Sequence, residues 1–275
     1  MGNIKNKEYK FFADYIFDNS GIFYSEDDYY RLDSRIKALC EHYKLDTPQK
    51  LFELYQGKIS SEMHNLLIDT ATNNETYFFR DNKPFTAVLE VVKNTIKEKG
   101  FCKIWSLGCS TGQEPYSILM TLLENGIKLD DISLRASDIS DQALAKAKSG
   151  TYNMIEIQRG LPAMMMVKYF TQNDREWQIR NDLRQKISFD KFNIIKDMYP
   201  TTEFDLILCR NVIIYQTVEN KKRIVENIFD ALKVGGFFGM GSGESLIGIK
   251  VDSKPAKIAD AHFYEKIAHA GLKSA

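Results

Sequence analysis

Apolar residues recur at helical spacing through residues 1–70 and give way, from about residue 100, to short apolar runs alternating with amphipathic stretches. KEYKFFADYIFDNSG predicts a helix that stops at the turn signal Asn19-Ser20-Gly21. From Tyr29 to Tyr43, Leu32, Ile36, Leu39 and Tyr43 form one buried stripe, with Arg31, Arg35 and His42 on another face. Thr47 is placed to cap a helix with Pro48 at its first position and Gly57 at its end. A further helix runs through SSEMHNLLIDTAT.

The second texture begins with the strand CKIWSLG, the helix EPYSILMTLLENG, the strand ISLRASD and the capped helix SDQALAKAKSG. FDLILCRN is almost continuously apolar, as a strand covered on both faces requires. TVENKKRIVENIFDALKVGG predicts an amphipathic helix closed by Gly235-Gly236, with FFGMGS as the next strand. Such alternation predicts a doubly wound, mostly parallel sheet. Residues 152–192 interrupt it, and RGLPAMMMVKYF followed by EWQIRNDLRQKISFDKFN reads as a small insertion of one helix and an antiparallel ribbon. The expected class is therefore α/β, with a small all-α N-terminal domain and linker over 1–80 and the α/β domain over 81–275.

Composition narrows the partners. Among 275 residues, Lys+Arg and Asp+Glu are both 37, so no global field favours nucleic acid or a membrane surface. No apolar run approaches the ~20 residues of a membrane span. The start, MGNIKNKEYKFF, lacks the apolar region of a signal peptide, and Asn6 breaks the myristoylation pattern that Gly2 begins. Cys40, Cys102, Cys109 and Cys209 form no CxxC pair and read as free thiols of a reducing, cytoplasmic compartment. His42, His64, His262 and His269 lack ligand spacing, so no metal is expected.

In an open α/β sheet, ligands bind beyond the carboxyl ends of the strands, near the first strand-to-helix turn. That turn is LGCSTGQEPYS, where Gly108 and Gly112 allow close approach of the backbone to a ligand. Asp138 ends the next strand. Its carboxylate suits the two ribose hydroxyls of an adenosyl group, or capping of the helix that begins near Asp141. Glu114 suits a cationic amino group, or simply the helix N-terminus. No Walker lysine is present, which disfavours nucleoside triphosphate hydrolysis.

TNNETYFFRD (72–81), IWSLGCSTGQEPYSI (104–118), ASDIS (136–140), RGLP (159–162), FDLILCRNVIIY (204–215) and GESL (243–246) together resemble the successive signatures of CheR-type methyltransferases, over nearly the whole chain. The resemblance implies a Rossmann-like domain that binds S-adenosyl-L-methionine and releases S-adenosyl-L-homocysteine. It implies cofactor contacts at Asn74, Thr76, Arg80, Gly108, Glu114 and Asp138, an adenine-packing pair at Asn193 and Ile194, and a strand-end pair at Asn211 and Val212. Asn74 and Thr76 also suit helix capping, and Phe78 and Phe79 read as core wedges.

The implied reaction is methylation of glutamate side chains in the cytoplasmic helical region of chemotaxis receptors. A glutamate carboxylate, with a pKa near ~4.3, is ionised at neutral pH and needs no general base. Arg80 is the first candidate for holding the acceptor carboxylate, and Tyr215 the second. A methyltransferase with a non-chemotaxis acceptor, and a non-catalytic S-adenosylmethionine sensor, stay open as alternatives.

Three features depart from the family. The glycine turn has Gln113 where many relatives have Glu, a position not assigned to the cofactor. Residues 1–80 hold 10 Lys+Arg against 13 Asp+Glu, which weakens the family's basic docking helix and leaves Arg31, Arg35, Lys37 and Lys44 as its candidates. The insertion's ribbon is shorter than in relatives that bind a receptor-tail pentapeptide and lacks their glycine-rich turn, so pentapeptide tethering is not expected. A monomer is the default expectation.

Overall fold

The computed structural model describes residues 2–269; the outermost bounds of the two expected domains, residues 1 and 275, lie outside the described residues. Four helices come first: α1 (Gly2–Ser20), α2 (Tyr29–His42), α3 (Pro48–Tyr55) and α4 (Ser61–Ala71). They close on a core that includes Phe12, Ile16, Leu32, Ile36, Leu51, Tyr55 and Leu67. Thr47 caps α3 by accepting from the Lys50 amide, and Ser60 caps α4 by accepting from that of Met63. On α2, Lys37 pairs with Asp33 at 2.6 Å, and Arg31 lies 3.7 Å from Asp28 with its guanidinium over the Tyr24 ring.

The segment after the linker, to which the apolar pattern assigns no element, is the long helix α5 (Lys83–Lys99). Pro84 stands in its first turn and Gly100, in the left-handed region, ends it. Then come β1 (Cys102–Leu107), α6 (Gln113–Glu124), β2 (Ile132–Asp138), α7 (Asp141–Ser149), β3 (Thr151–Asn153), α8 (Met154–Gln158), α9 (Ala163–Tyr169), β4 (Phe170–Asn173), β5 (Glu176–Ile179), α10 (Asn181–Lys186) and β6 (Ile187–Lys191). The chain closes with β7 (Phe204–Cys209), α11 (Val218–Ala231), β8 (Leu232–Met240), β9 (Ser253–Ile258) and β10 (Ala261–Lys266).

The main sheet has the order β6-β2-β1-β7-β8-β10-β9. The first five strands are parallel, and the β9–β10 hairpin adds an antiparallel edge. From β1 the chain moves outward to β2 on one side, and β7 lies on the other. The strand order therefore reverses between Leu107 and Cys209, which places the crevice at those two carboxyl ends.

Two boundaries differ from the expected ones. Helix α11 ends at Ala231, and Gly235-Gly236 lie inside β8, where Gly235 takes φ +78° and the register against β7 shifts. The insertion holds a three-stranded antiparallel sheet, β3-β5-β4, and three short helices. Its last piece, β6, belongs to the main sheet, where Ile187 pairs with Leu134 and a forked Arg135–Asp190 ion pair at 2.7–2.9 Å ties it to β2. An edge strand meets only one neighbour, so its polar alternation resembles that of a surface ribbon.

No described helix is long and apolar enough to cross a membrane. The four cysteines are free and buried, and no cluster of three metal-ligating side chains occurs among the described residues.

Candidate active site

Gly108 follows β1 at φ +79°, and a Cβ there would overlap Val212 Cγ2. The turn therefore requires glycine twice over, for its backbone angle and for its contact. The amides of Gly108 and Cys109 donate to Ser137 O at 2.8 and 2.9 Å. Ser110, also left-handed, donates its amide to Asp138 Oδ2 at 2.8 Å and its hydroxyl to Asn74 O at 2.8 Å. The other Asp138 oxygen accepts from the Ser140 amide at 3.0 Å. Ser140 itself caps α7 by accepting from the Ala143 amide, which leaves Asp138 for the cavity. Burial raises the Asp138 pKa, and the amides of Ser140, Ser110 and Ile139 pull it partly back.

Glu114, in the first turn of α6, accepts from Ser106 Oγ at 2.8 Å and from Arg210 Nη1 at 2.9 Å. The linker crosses the same opening. Asn74 lies within 3.5 Å of Thr72 Oγ1 and Ser140 Oγ. Arg80 donates to Glu75 O at 3.1 Å, with its guanidinium 5.6 Å from the Tyr77 ring centroid. Phe78 and Phe79 are buried in the core as wedges, and the Phe79 amide donates to Ser117 Oγ.

Beyond β7, Asn211 takes φ +60°, and its loop is held by Glu244. One oxygen of that carboxylate accepts from the amides of Asn211 and Gly241 at 2.8 Å each; the other accepts from Val212 and Ile214 at 3.1 and 3.2 Å. Tyr215 accepts at its phenol oxygen from Asn73 Nδ2 at 2.8 Å. Its carbonyl accepts from the Phe23 amide, and Gln216 bridges to Ile22, so the N-terminal helices close one wall.

Asn74, Thr76, Arg80, Gly108, Glu114, Asp138, Ile194, Asn211, Val212 and Tyr215 all line this one cavity. Asn193 does not: its side-chain amide donates to Asn19 O at 2.6 Å, and Phe192 and Ile194 provide the wall on either side of it. Sequence reasoning missed Arg210, Glu244 and Asn73. An arginine closing an almost continuously apolar strand was the available signal for the first, and the acid within GESL for the second.

Residues 74–261 match the family of the CheR methyltransferase, SAM binding domain. The chain belongs to the CheR methyltransferase family. It is 31% identical over 252 residues to the chemotaxis protein methyltransferase of Vibrio parahaemolyticus, covering 90% of this chain and 92% of that protein. It is 30% identical over 260 residues to chemotaxis protein methyltransferase Cher2 of Pseudomonas putida, with the same coverage. The chemotaxis protein methyltransferase of Borreliella burgdorferi is 30% identical over 264 residues, covering 90% and 91%.

The chain is thus an S-adenosyl-L-methionine-dependent methyltransferase, and the donor set of the CheR cavity fits that cofactor. The carboxylate of Asp138 could accept from a ribose diol, and that of Glu114 could meet an ammonium group. Phe192, Ile194, Ile139 and Val212 supply apolar wall for a purine. Gly108 leaves the space that a side chain would fill.

Proposed function

We propose that the protein methylates glutamate side-chain carboxylates of methyl-accepting chemotaxis receptors, giving glutamyl 5-O-methyl esters. The observation that supports this most directly is the polar lining of the cavity mouth. Arg80 and Tyr215 line it together, while none of the described lining residues is a histidine or lysine. Glu114 and Asp138 are already engaged, by Arg210 and by backbone amides, rather than poised as bases. Such a lining suits an acceptor that arrives ionised, as a carboxylate with a pKa near ~4.3 does.

When bound, S-adenosyl-L-methionine supplies a methyl group already activated by its sulfonium charge. The residues then act by placement. Asp138 and Glu114 would hold the ribose and the amino-acid end of the cofactor, and Arg80 grips one acceptor oxygen while leaving the other free. Tyr215, whose phenol oxygen accepts from Asn73, helps orient the acceptor. Alignment of this kind supplies several kcal/mol, within the ~7–11 kcal/mol available to well-oriented intramolecular reactions.

The family resemblance and the chemotaxis methyltransferase relatives favour receptors as the acceptor class. On α2, Arg31 and Lys37 are met by acids of the same chain segment, which favours recognition without a strong basic stripe. The test is incubation with methyl-tritiated cofactor and receptor-containing membranes, followed by mild alkali and trapping of volatile methanol. Alkali-labile label on a receptor band is expected. Absence of label, with cofactor binding confirmed separately, would overturn the receptor reading.

A further inference from the structure

The linker turn that carries Arg80 is backbone-strained. Phe79, Asp81 and Asn82 take φ of 53°, 68° and 38°, a region that Asp and Asn enter locally but that Phe adopts only when surrounding contacts impose it. Ser117 holds the Phe79 amide, and Arg210 holds the middle of the turn. Its Nη2 donates to Arg80 O at 2.8 Å and to Asp81 Oδ2 at 2.9 Å, while its Nη1 reaches Glu114 at 2.9 Å. The side chain is only 2% exposed, and its Nε has no hydrogen-bond partner. A planar fork spans these three acceptors in a way that a single ammonium does not.

We infer that Arg210 is a positioning residue: it locks the strained Phe79–Asn82 turn against Glu114, so that Arg80 is presented to the acceptor. This rests on the reading that Arg80 holds the acceptor carboxylate. Arg210 lies where β7 ends, so the same fork links three chain segments that are far apart in sequence: the linker, the first turn of α6 and the strand-end loop. Loss of the fork releases the turn toward ordinary φ values and moves Arg80, whereas Asp138 and the glycine turn keep their own partners.

The test is a double-mutant cycle on turnover at saturating cofactor, using Arg210→Lys and Asp81→Asn, each alone and combined with Arg80→Ala. Asp81 is partly exposed and asparagine tolerates its positive φ, so Asp81→Asn keeps the test available if Arg210→Lys folds poorly. Arg210→Lys is expected to lower kcat about 10- to 100-fold, and Asp81→Asn several-fold, because small misplacements of a positioning group have effects of that order. Asp81→Asn leaves cofactor affinity, measured by calorimetry, close to that of the parent. In the Arg80→Ala background neither substitution causes much further loss. Multiplicative losses in that background, or parental kcat in Arg210→Lys and Asp81→Asn, would overturn the inference. Parental turnover in Arg80→Ala alone would instead remove the role of Arg80, and the inference with it.

Discussion

Glu244 accepts a hydrogen bond at 2.8 Å from the backbone N–H of Asn211, a residue held at φ +60° in the turn that follows the central strand. The same carboxylate takes three further amides, so one side chain from the loop after β8 fixes the wall formed by Asn211 and Val212 and the approach to Tyr215. A carboxylate can accept at both oxygens, whereas a glutamine presents an NH2 group to one pair of donors. Glu244→Gln is therefore expected to weaken cofactor binding about 10- to 100-fold, at a cost of about 1–3 kcal/mol for the donors left unsatisfied. Calorimetry with S-adenosyl-L-homocysteine measures it, and affinity equal to that of the parent would show that the loop keeps its shape without the carboxylate.

At Gly108 the expected damage is steric and conformational together. Alanine must adopt a positive φ and overlap Val212 Cγ2. Gly108→Ala should lose cofactor binding beyond detection and cost about 1–2 kcal/mol of stability from the backbone angle. Val212→Ala in the same chain removes the overlapping methyl but not the angle, so it should restore binding only in part. Full restoration would mean that the strain at φ +79° costs little.

These contacts show what the chain makes legible and what it does not. The glycine turn, Asp138 and Asn211 stand at strand ends, and strands announce themselves by nearly continuous apolar runs such as FDLILC. Arg80 and Tyr215 were reached through the family's signatures rather than through periodicity. Helix α5 escaped notice because Val88, Val91, Val92 and Thr95, which make up most of its buried face, are β-branched residues that favour strands as much as helices. The edge strand β6 carries polar alternation that a surface ribbon shares, and only its register against Leu134 assigns it to the main sheet. The grips of Arg210 on Glu114 and of Glu244 on Asn211 span 96 and 33 positions, and nothing local in the sequence names either partner. Asn193 illustrates the reverse: motif matching finds the segment, but only the fold shows that its amide is spent on Asn19 O.

Asp138 gives the cofactor site a pH signature. Burial raises its pKa above the ordinary 3.8, so the folded protein without ligand holds the proton more tightly than the unfolded chain does. Its contribution to stability is then largest in acid and is lost as pH rises through the raised value. Binding has the opposite sign, because the ionised carboxylate is the form that accepts from ribose hydroxyls. Affinity for S-adenosyl-L-homocysteine should fall roughly tenfold per pH unit below the Asp138 pKa, with a midpoint above 3.8. Asp138→Asn should bind weakly at every pH and lose this limb. Titration calorimetry from neutral pH downward decides the matter, and an affinity that holds down to pH 3.8 would show that Asp138 does not govern binding.

Stability of the sheet has its own titrating group. Asp205, in the central strand β7, has a side chain only 1% exposed, met by Lys99 Nζ at 3.1 Å, Lys233 Nζ at 2.8 Å and the Lys103 amide at 3.0 Å. Burial alone would raise its pKa, but the Lys103 amide and the two lysines outweigh burial and bring it below the ordinary value. A lowered carboxyl pKa contributes stability that is fully present above the unfolded-state value and is lost as pH falls through the folded one. Both lysines are partly exposed, so Asp205→Asn should cost about 2–4 kcal/mol near neutral pH, short of the loss expected for a wholly buried pair. Urea unfolding followed by tryptophan fluorescence in a Trp177→Phe background, which keeps Trp105 packed against the neighbouring Phe204 as the sole tryptophan, reads this region directly. The gap between parent and variant should stay level through the neutral range and close only as pH drops below 3.8. A gap that stays constant into stronger acid would assign the loss to packing around position 205 rather than to the charge.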